Sequence, residues 1–432
     1  MERAAIPPRL VAAAAFTLPA FSLALPSGYS WGALLLVIAG VMAWRAGLVL
    51  PRDASFWAFV TAVLAMALMR LVRVDVDWSG SIGSSDFDRT VKYLLALVAW
   101  IAVTRHAPPA QWLQHGCWTG AWLAGLTAAW QWHGLGWERA AGYTNAIQFG
   151  DIAVLLACWS ALWWRHAATR IMRLWAAGSV AAGLYAAIAS GTRGAWIVAP
   201  VLLLWIAWVR MRDGSPGGSA RFRRRWRMIG MLATGLMFIA MALPVTRDSI
   251  GERVALAWQE WERFRTAGES DNSVGHRLAH WRLAWSMGLQ RPWVGWSEAG
   301  YAAEKQRLVE AGAAPNVVLR FGHAHHEWLD LWAKAGLWGV ATLALFYAVP
   351  LVICGQALRR LRSEPPGLAR ETAVTIAACG VVTVVGFIGF GMTQVLFAHN
   401  SGHMIYLFMN VLWLGVLRAH TPGTHHPHAS AA

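Results

Sequence analysis

The sequence predicts an all-α membrane protein, a bundle of about twelve transmembrane helices with one large helical loop on a single side. Of its 432 residues, 57% are hydrophobic and 14% are charged, and the mean hydropathy is +0.42. Soluble domains contain roughly 25% charged residues and less apolar sequence. Apolar stretches of about 17 to 25 residues, each long enough to cross the hydrocarbon core of a bilayer, recur along the chain. These observations place the protein in a membrane.

The apolar stretches predict spans that are joined mostly by short loops. We expect them at residues 9–25, 29–49, 54–74, 90–105, 112–132, 147–164, 171–189, 194–210, 228–244, 328–352, 371–391 and 402–418. No cleavage site follows the first apolar stretch, so we expect it to remain as a helix. The 4 cysteines show neither paired nor metal-type spacing, which argues against a disulfide framework. Most of the 29 tryptophans are expected in aromatic belts at the membrane surfaces.

Basic loops alternate with neutral or acidic ones along the chain. Although the net charge is +15, arginines such as Arg45, Arg165, Arg212 and Arg359 fall in every second loop. The positive-inside rule assigns these loops to the cytoplasm, and both termini are predicted to lie there with them. This distribution explains the basic charge without nucleic acid, which we therefore exclude as a partner, and predicts membrane lipids as the surroundings.

The longest connection lies between Pro244 and a span that begins near Trp328. A connection of about eighty residues is too long to be unstructured in a compact protein. It divides the chain into transmembrane helices one to nine at 1–244, a periplasmic helical loop at 245–326, and helices ten to twelve with a cytoplasmic tail at 327–432. We expect function to reside in this loop.

The loop is predicted to be helical at residues 249–266, 273–292 and 301–311. In the second helix, Arg277, His280 and Trp281 share one face because they are three or four residues apart. A cation on this face would help to bind a phosphate group. The alternative is a solvated amphipathic helix with ordinary charges, and taken alone the spacing favours that alternative.

Arg193 lies between two apolar spans, in the turn Ser190-Gly-Thr-Arg-Gly-Ala-Trp196. A guanidinium at the membrane is costly unless it is paired, and its planar set of donors suits two phosphate oxygens at once. The flanking glycines allow a ligand to come close to the backbone. The competing interpretation is an arginine that reaches out to water. Arg139, in another outward loop, is expected either to line the same polar approach or to serve local capping.

Histidines are densest where the long loop returns to the membrane, in Phe321-Gly-His323-Ala-His325-His326-Glu327. A histidine with a pKa near neutrality can remove the proton from an attacking hydroxyl group, as glycosyl transfer requires. Zinc is a competing use, but the spacing matches no metal-binding pattern, and His325 and His326 cannot point the same way on a helix. In a third interpretation, the imidazoles are structural and bond to loop carbonyls.

These motifs resemble those of the O-antigen ligase and polymerase superfamily of bacterial inner membranes. The turn around Arg193 is similar to its arginine motif, and the stretch from Arg277 to Trp296 is similar to its loop motif. Its histidine motif is matched by His325, His326, Gly336 and Gly339. One departure is His326, since Asn, Ser or Gln usually follows the histidine. The resemblance covers about residues 85–420.

The resemblance implies a fold like that of GT-C glycosyltransferases and a site on the periplasmic side of the inner membrane. The single late loop is most similar to the O-antigen ligases, which transfer O-antigen polysaccharide from undecaprenyl pyrophosphate to a sugar hydroxyl of lipid A-core in lipopolysaccharide biosynthesis. His325 is then the general base, while Arg193 and Arg277 hold the pyrophosphate. The reaction inverts the anomeric centre and uses no metal or other cofactor. We expect further substrate contacts from His323, His326, His280, Trp281, Arg139 and Glu327.

Other functions fit parts of the same pattern. O-antigen polymerases and ligases that glycosylate proteins share the motifs. A transporter of lipid-linked glycans would also place arginines in the membrane, but it predicts two related halves with broken helices, and no such internal similarity is apparent. A structural scaffold would leave the clustered histidines and arginines unexplained.

Overall fold

The computed structural model of the protein describes residues 2–47, 50–72, 85–212, 255–256, 258–266 and 268–420. Within this part of the chain the secondary structure is helical throughout, without strands. The α-helices, numbered in chain order, are α1 (Glu2–Phe21), α2 (Gly28–Arg45), α3 (Ala54–Val72), α4 (Ser85–Arg105), α5 (Ala110–Ala129), α6 (Ala146–Trp163), α7 (Arg170–Ala189), α8 (Arg193–Arg212), α9 (Ser273–Gln290), α10 (Glu298–Glu310), α11 (Glu327–Leu361), α12 (Leu368–Phe390) and α13 (Asn400–Ala419).

The helices confirm the prediction of a polytopic, all-helical membrane protein. Eight of them, namely α2, α3, α6, α7, α8, α11, α12 and α13, are long and apolar enough to cross a bilayer. The predicted spans 9–25, 90–105 and 112–132 correspond to α1, whose apolar part is shorter, and to α4 and α5, which are more polar; all three pack within the same bundle. The predicted span 228–244 lies outside the described residues.

The centre of the bundle is formed by α6, α12 and α13. More than four fifths of each is buried, at 83%, 83% and 89%. Five tryptophans lie fully inside this packing rather than at a membrane surface, so the expected aromatic belts do not account for them. They are Trp100, Trp118, Trp159, Trp163 and Trp413. Their indole groups add apolar area, and two of them donate hydrogen bonds to the Thr383 hydroxyl, at 3.2 and 3.1 Å.

The basic helix ends meet at one end of the bundle. Arg105 at the end of α4 donates to the Ala43 carbonyl of α2 at 3.0 Å, and Arg165, after α6, pairs with Glu371 of α12 at 2.7 Å. Arg418 at the end of α13 likewise pairs with Asp53 before α3. The arginines that the sequence placed in alternate loops therefore share one side of the protein, and the candidate site lies at the opposite helix ends.

The long loop rests on α11 through two glycines with left-handed backbone conformations. Gly336 has φ +61° and interrupts α11, and Gly295 has φ +64°. A Cβ at either position would lie within 2.6 Å of backbone atoms of the other segment. Because neither residue has a side chain, the backbones pair directly, with the Leu337 N–H donating to the Pro292 carbonyl at 2.7 Å. This contact explains Gly295 of the loop motif and Gly336 of the histidine motif.

The described part of the loop packs into a small core of its own. Helices α9 and α10 match the predicted helices at 273–292 and 301–311, and residues 258–266 are helical, as expected from the prediction at 249–266. Apolar side chains from both helices and from the following short turns fill the space between them, among them Ala284, Met287, Tyr301 and Val318. This core holds α9 against the start of α11, where the histidines lie.

Candidate functional site

His325 is the centre of a cluster of aromatic and imidazole rings at the beginning of α11. Its ring centroid lies 4.3 Å from that of His323 and 4.5 Å from that of Phe321. From α9, His276 and His280 approach it to 5.4 and 5.8 Å. The two predicted segments, one around His280 and one around His325, therefore meet in space.

The backbone at the helix start turns the consecutive histidines in different directions. His325 has φ +52°, a left-handed conformation that an ordinary side chain adopts only with strain. His326 is extended and caps α11, since its Nδ1 accepts the Leu329 N–H at 3.4 Å. Its ring lies 5.4 Å from that of Trp281. The rings of His326 and Trp281 therefore contact each other next to the cluster, while His325 faces the other histidines.

The clustered histidines are neutral at pH 7. Burial, reinforced by neighbouring positive charges, lowers the pKa of His280, His323 and His325 to about 3. For His325 those neighbours are His323, His276 and Arg277. We expected a pKa near neutrality, and the structure corrects that expectation because the ring is only 5% exposed. The neutral imidazole can accept a proton, and a nearby anion would make acceptance easier.

Three arginines from distant parts of the chain lie close enough for their charges to interact. Arg277 of α9 is largely buried, and its pKa is lowered first by burial and then by the charges of Arg193 and Arg139. The carboxylate of Glu260 acts in the opposite direction. The Nε of Arg277 has no hydrogen-bond partner among the described residues. Cations gathered in this way attract a ligand with more than one negative charge.

Arg139 is attached to the turn that carries Arg193. Its Nε donates to the Ser190 carbonyl at 2.7 Å, and a terminal nitrogen lies 3.4 Å from the Thr192 hydroxyl. Gly191 within the turn has φ +64°, which the absence of a side chain allows. Arg193 follows as the first residue of α8, where the helix dipole also favours an anion. Arg139 therefore both positions the turn and adds its own charge beside it.

The carboxylate of Glu327 is buried at the beginning of α11. It is 0% exposed, and its Oε2 accepts the N–H groups of Leu396 and Phe397 at 2.6 and 3.2 Å. The carboxylate thereby ties the start of α11 to the segment between α12 and α13. Glu327 therefore anchors the beginning of α11, and the substrate contact expected from the sequence stays a prediction.

A buried network of charges between α10 and α11 supports the histidine segment. Lys334 pairs with Asp330 at 3.0 Å and with Glu298 of α10 at 2.7 Å. Burial alone would raise the pKa of Glu298, but the charges of Lys334, Arg70 and Arg89 lower it to about 2. Lys334 also donates to the Gly322 carbonyl at 2.9 Å. The network therefore fixes the loop just before His323.

The residues described here do not form a metal-binding group. Within the described ranges, no cluster of three or more histidine, cysteine, aspartate or glutamate side chains has the geometry to hold a metal ion. Most of the histidine rings around His325 meet edge to face.

Several residues of the cluster were not identified from the sequence. His276 and Phe321 adjoin residues of the motifs, so their positions were a usable signal. Gln394 and His399 lie far along the chain from the motifs. In the structure, the Gln394 side chain lies 3.2 Å from Nδ1 of His325, and the His399 ring lies 5.8 Å from that of His323. No local pattern links residues so distant in the chain.

Comparison with known proteins agrees with this arrangement. Residues 178–344 match the sequence profile of a family described as O-antigen ligase. An uncharacterized protein of Haemophilus influenzae is 22% identical over 395 residues, which cover 89% of this chain and 92% of that protein. The matched segment contains Arg193, Arg277 and His325, whereas Arg139 and Gln394 lie outside it. Residues 178–344 are therefore similar to the O-antigen ligase family, in agreement with the resemblance seen in the sequence motifs.

Proposed function

We propose that the protein is an O-antigen ligase of the bacterial inner membrane. It transfers O-antigen polysaccharide from undecaprenyl pyrophosphate to a sugar hydroxyl of lipid A-core. The observation that carries this proposal is the position of Arg277, whose guanidinium group interacts electrostatically with those of Arg139 and Arg193 and also with the neutral, buried imidazole of His325. The guanidinium groups suit the binding of a pyrophosphate leaving group, and the imidazole suits a base that takes the proton of a hydroxyl nucleophile.

The arginines act on the donor. A pyrophosphate ester carries at least two negative charges, and its leaving group gains charge as the glycosidic C–O bond breaks. Guanidinium groups held in place before the reaction stabilise that developing charge without reorganisation. Arg277 is suited to this role because its Nε is buried and unpaired among the described residues. The same charges hold the lipid-linked donor at the membrane surface.

His325 acts on the acceptor. The acceptor oxygen attacks the anomeric carbon, its proton passes to the imidazole, and the electron pair of the broken C–O bond leaves with undecaprenyl pyrophosphate. Because the nucleophile displaces the leaving group directly, the configuration of the anomeric carbon inverts. The bound pyrophosphate offsets the positive charge of Arg277, one of the groups that lowers the pKa of His325. Donor binding therefore makes the base stronger.

We place the site on the periplasmic side and both termini in the cytoplasm. The arginine-rich helix ends, including Arg165 and Arg418, lie opposite the histidine cluster in the bundle. The positive-inside rule assigns such ends to the cytoplasm. Cysteine labelling with a membrane-impermeant reagent tests this: a cysteine at Gln306 should react in intact spheroplasts, and one at Arg359 should not.

Purified protein, lipid-linked O-antigen and lipid A-core provide the direct test. We expect a slower-migrating lipopolysaccharide to form without an ion gradient and in the presence of a metal chelator. Arg193→Ala, Arg277→Ala and His325→Ala should abolish its formation while leaving the protein inserted and folded. Arg307→Ala is the control, since Arg307 is an exposed residue of α10 that pairs with Glu304. Full activity in all three variants would overturn the proposed site.

The acceptor distinguishes the related activities. If the product forms only when lipid A-core is present, the protein is a ligase. If lipid-linked repeat units alone yield longer lipid-linked chains, the protein is a polymerase, which the family match equally allows. Movement of the donor across vesicles without any new glycosidic bond would support a transporter and overturn the proposal.

A further inference from the structure

The side-chain oxygen of Gln394 makes two contacts that together define the protonation of His325. Gln394 is only 3% exposed and lies between α12 and α13. Its Oε1 is 3.1 Å from the backbone nitrogen of Val395 and 3.2 Å from Nδ1 of His325. Both contacts involve the same atom of the amide group.

The backbone contact determines which end of the amide faces His325. The N–H of Val395 can only donate, so its partner must be the carbonyl oxygen and not the NH₂ group of Gln394. A carbonyl oxygen can only accept, and the imidazole nitrogen that faces it must therefore carry the hydrogen. Neutral imidazole has one N–H, so placing it on Nδ1 leaves the lone pair on Nε2.

We propose that Gln394 is a positioning residue that holds His325 in the Nδ1–H tautomer, so that Nε2 is the nitrogen that accepts the acceptor's proton. This inference rests on the proposed function, in which His325 is the base. The Nε2 atom fits the role because it has no hydrogen-bond partner among the described residues.

The other histidines are not held in this way. His323 Nδ1 lies 3.3 Å from the N–H of His325 and is therefore an acceptor, and His326 Nδ1 accepts from Leu329. Their N–H groups must then be at Nε2, the opposite tautomer. Of these three histidines, His325 is therefore the one that Gln394 holds in the Nδ1–H tautomer.

The first test measures the tautomer directly and needs no activity. The full chain is prepared with ¹³C,¹⁵N-labelled histidine in lipid bilayers, and the His325 signals are identified as those missing from His325→Ala. Ring carbon and nitrogen shifts distinguish the two tautomers. We expect Nδ1–H in the unaltered protein and a shift toward Nε2–H in Gln394→Leu, with Gln306→Leu unchanged, because Gln306 is an exposed residue of α10. An Nδ1–H tautomer that persists in Gln394→Leu would overturn the proposal.

The second test uses the pH dependence of ligation. A carboxylate in Gln394→Glu still accepts from Nδ1 but also favours the imidazolium, and an adjacent opposite charge raises a histidine pKa by about 1 to 3 units. The charged and titratable groups that face His325 in the unaltered protein are His276, His280 and Arg277 of α9 and His323 of its own segment. These groups are the same in the unaltered protein and in Gln394→Glu. A difference between the acid limbs of their kcat–pH profiles is therefore due to the substitution of Gln394 alone.

We expect the acid limb of kcat to move to higher pH by about one unit or more in Gln394→Glu. In Gln394→Leu, kcat should fall by about a hundredfold, as for loss of general base catalysis, with a much smaller change in KM. An unchanged pH profile and kcat in both variants would exclude the positioning role. If the unaltered protein does not ligate glycans, the proposed function fails, but the tautomer measurement still decides whether Gln394 sets the protonation of His325.

Discussion

The ammonium group of Lys334 lies 2.7 Å from the carboxylate of Glu298, and this pair joins helix α10 of the long loop to the first turns of α11. The Lys334 side chain is only 6% exposed, and Asp330, its second partner, is 2% exposed. Charges removed from water to this extent depend on one another. The Lys334–Glu298 pair therefore holds the long loop in place next to the histidine cluster.

We predict that Lys334→Met destabilises the protein by about 3–5 kcal/mol, because Asp330 then remains buried without its cation. The measurement is the melting temperature in detergent, together with the rate at which a protease cleaves the loop. Arg307→Met is the matched control, since the Arg307 side chain is 65% exposed and should melt like the unaltered protein. Equal melting of the two variants would show that the network does not hold the loop.

The break in α11 gives a second prediction. Gly336→Ala should destabilise the protein by about 1–3 kcal/mol, because alanine is strained at φ +61° and its Cβ would lie 2.6 Å from the Pro292 carbonyl oxygen. Gly355→Ala in the same helix is the control. Nothing lies within 4 Å of a Cβ there, so the substitution should be neutral or slightly stabilising. Thermal unfolding of both variants compares them directly, and a Gly336→Ala protein as stable as Gly355→Ala would contradict the structural explanation.

Acid should destabilise the protein in a range set by its histidines. The folded pKa of His280, His323 and His325 is about 3, below the ordinary value of 6.5, so the unfolded chain binds protons first as the pH falls. These histidines therefore do not lower the free energy of unfolding above pH 6.5, and they lower it progressively as the pH falls from 6.5 toward 3. We expect the melting temperature to fall between pH 6.5 and 4.5, and to fall less steeply in His280→Gln. A melting temperature that does not change in this range would disprove burial of neutral histidines.

Arg139 should contribute to anion binding although it lies outside the matched family segment. A hydrogen bond to a charged group contributes about 1.5–3 kcal/mol. We therefore predict that Arg139→Ala weakens inhibition of ligation by inorganic pyrophosphate about tenfold or more. Arg139→Lys should restore only part of the inhibition by pyrophosphate. The planar guanidinium group of arginine can donate to the Ser190 carbonyl and to an anion at the same time, whereas the ammonium group of lysine cannot do so in this geometry. Arg265→Ala, at a 61% exposed loop arginine, is the control, and equal inhibition of all variants would remove Arg139 from the site.

Much of the fold was predictable because membrane helices are recognised from contiguous apolar residues. Every predicted span that lies within the described residues overlaps a helix. The predicted helices around Arg277 and after Tyr301 are also present, because their periodicity is local. The tryptophans were harder to interpret: the same apolar ring suits a membrane surface or a packed core, and composition does not separate Trp159 from an exposed residue such as Trp293.

The site was predictable only in part. The motifs pointed to Arg193, Arg277 and His325, and the structure places these residues at the same end of the bundle. The pKa of His325 was not predictable, because it depends on burial among rings from α9. Nor was the anchoring of Glu327 by the backbone of Leu396, since those residues are separated by a whole transmembrane hairpin.

The sequence alone predicted a polytopic helical membrane protein and indicated the short segments in which we propose the chemistry to lie, because hydropathy and motif spacing are properties of neighbouring residues. The folded arrangement of the helices was needed to show that Gln394 faces His325, that Arg139 supports the turn before Arg193, and that Lys334 pairs with Glu298. Each of these contacts joins separate helices or loops. Their partners are selected by how the helices pack, and no pattern along the chain records that choice.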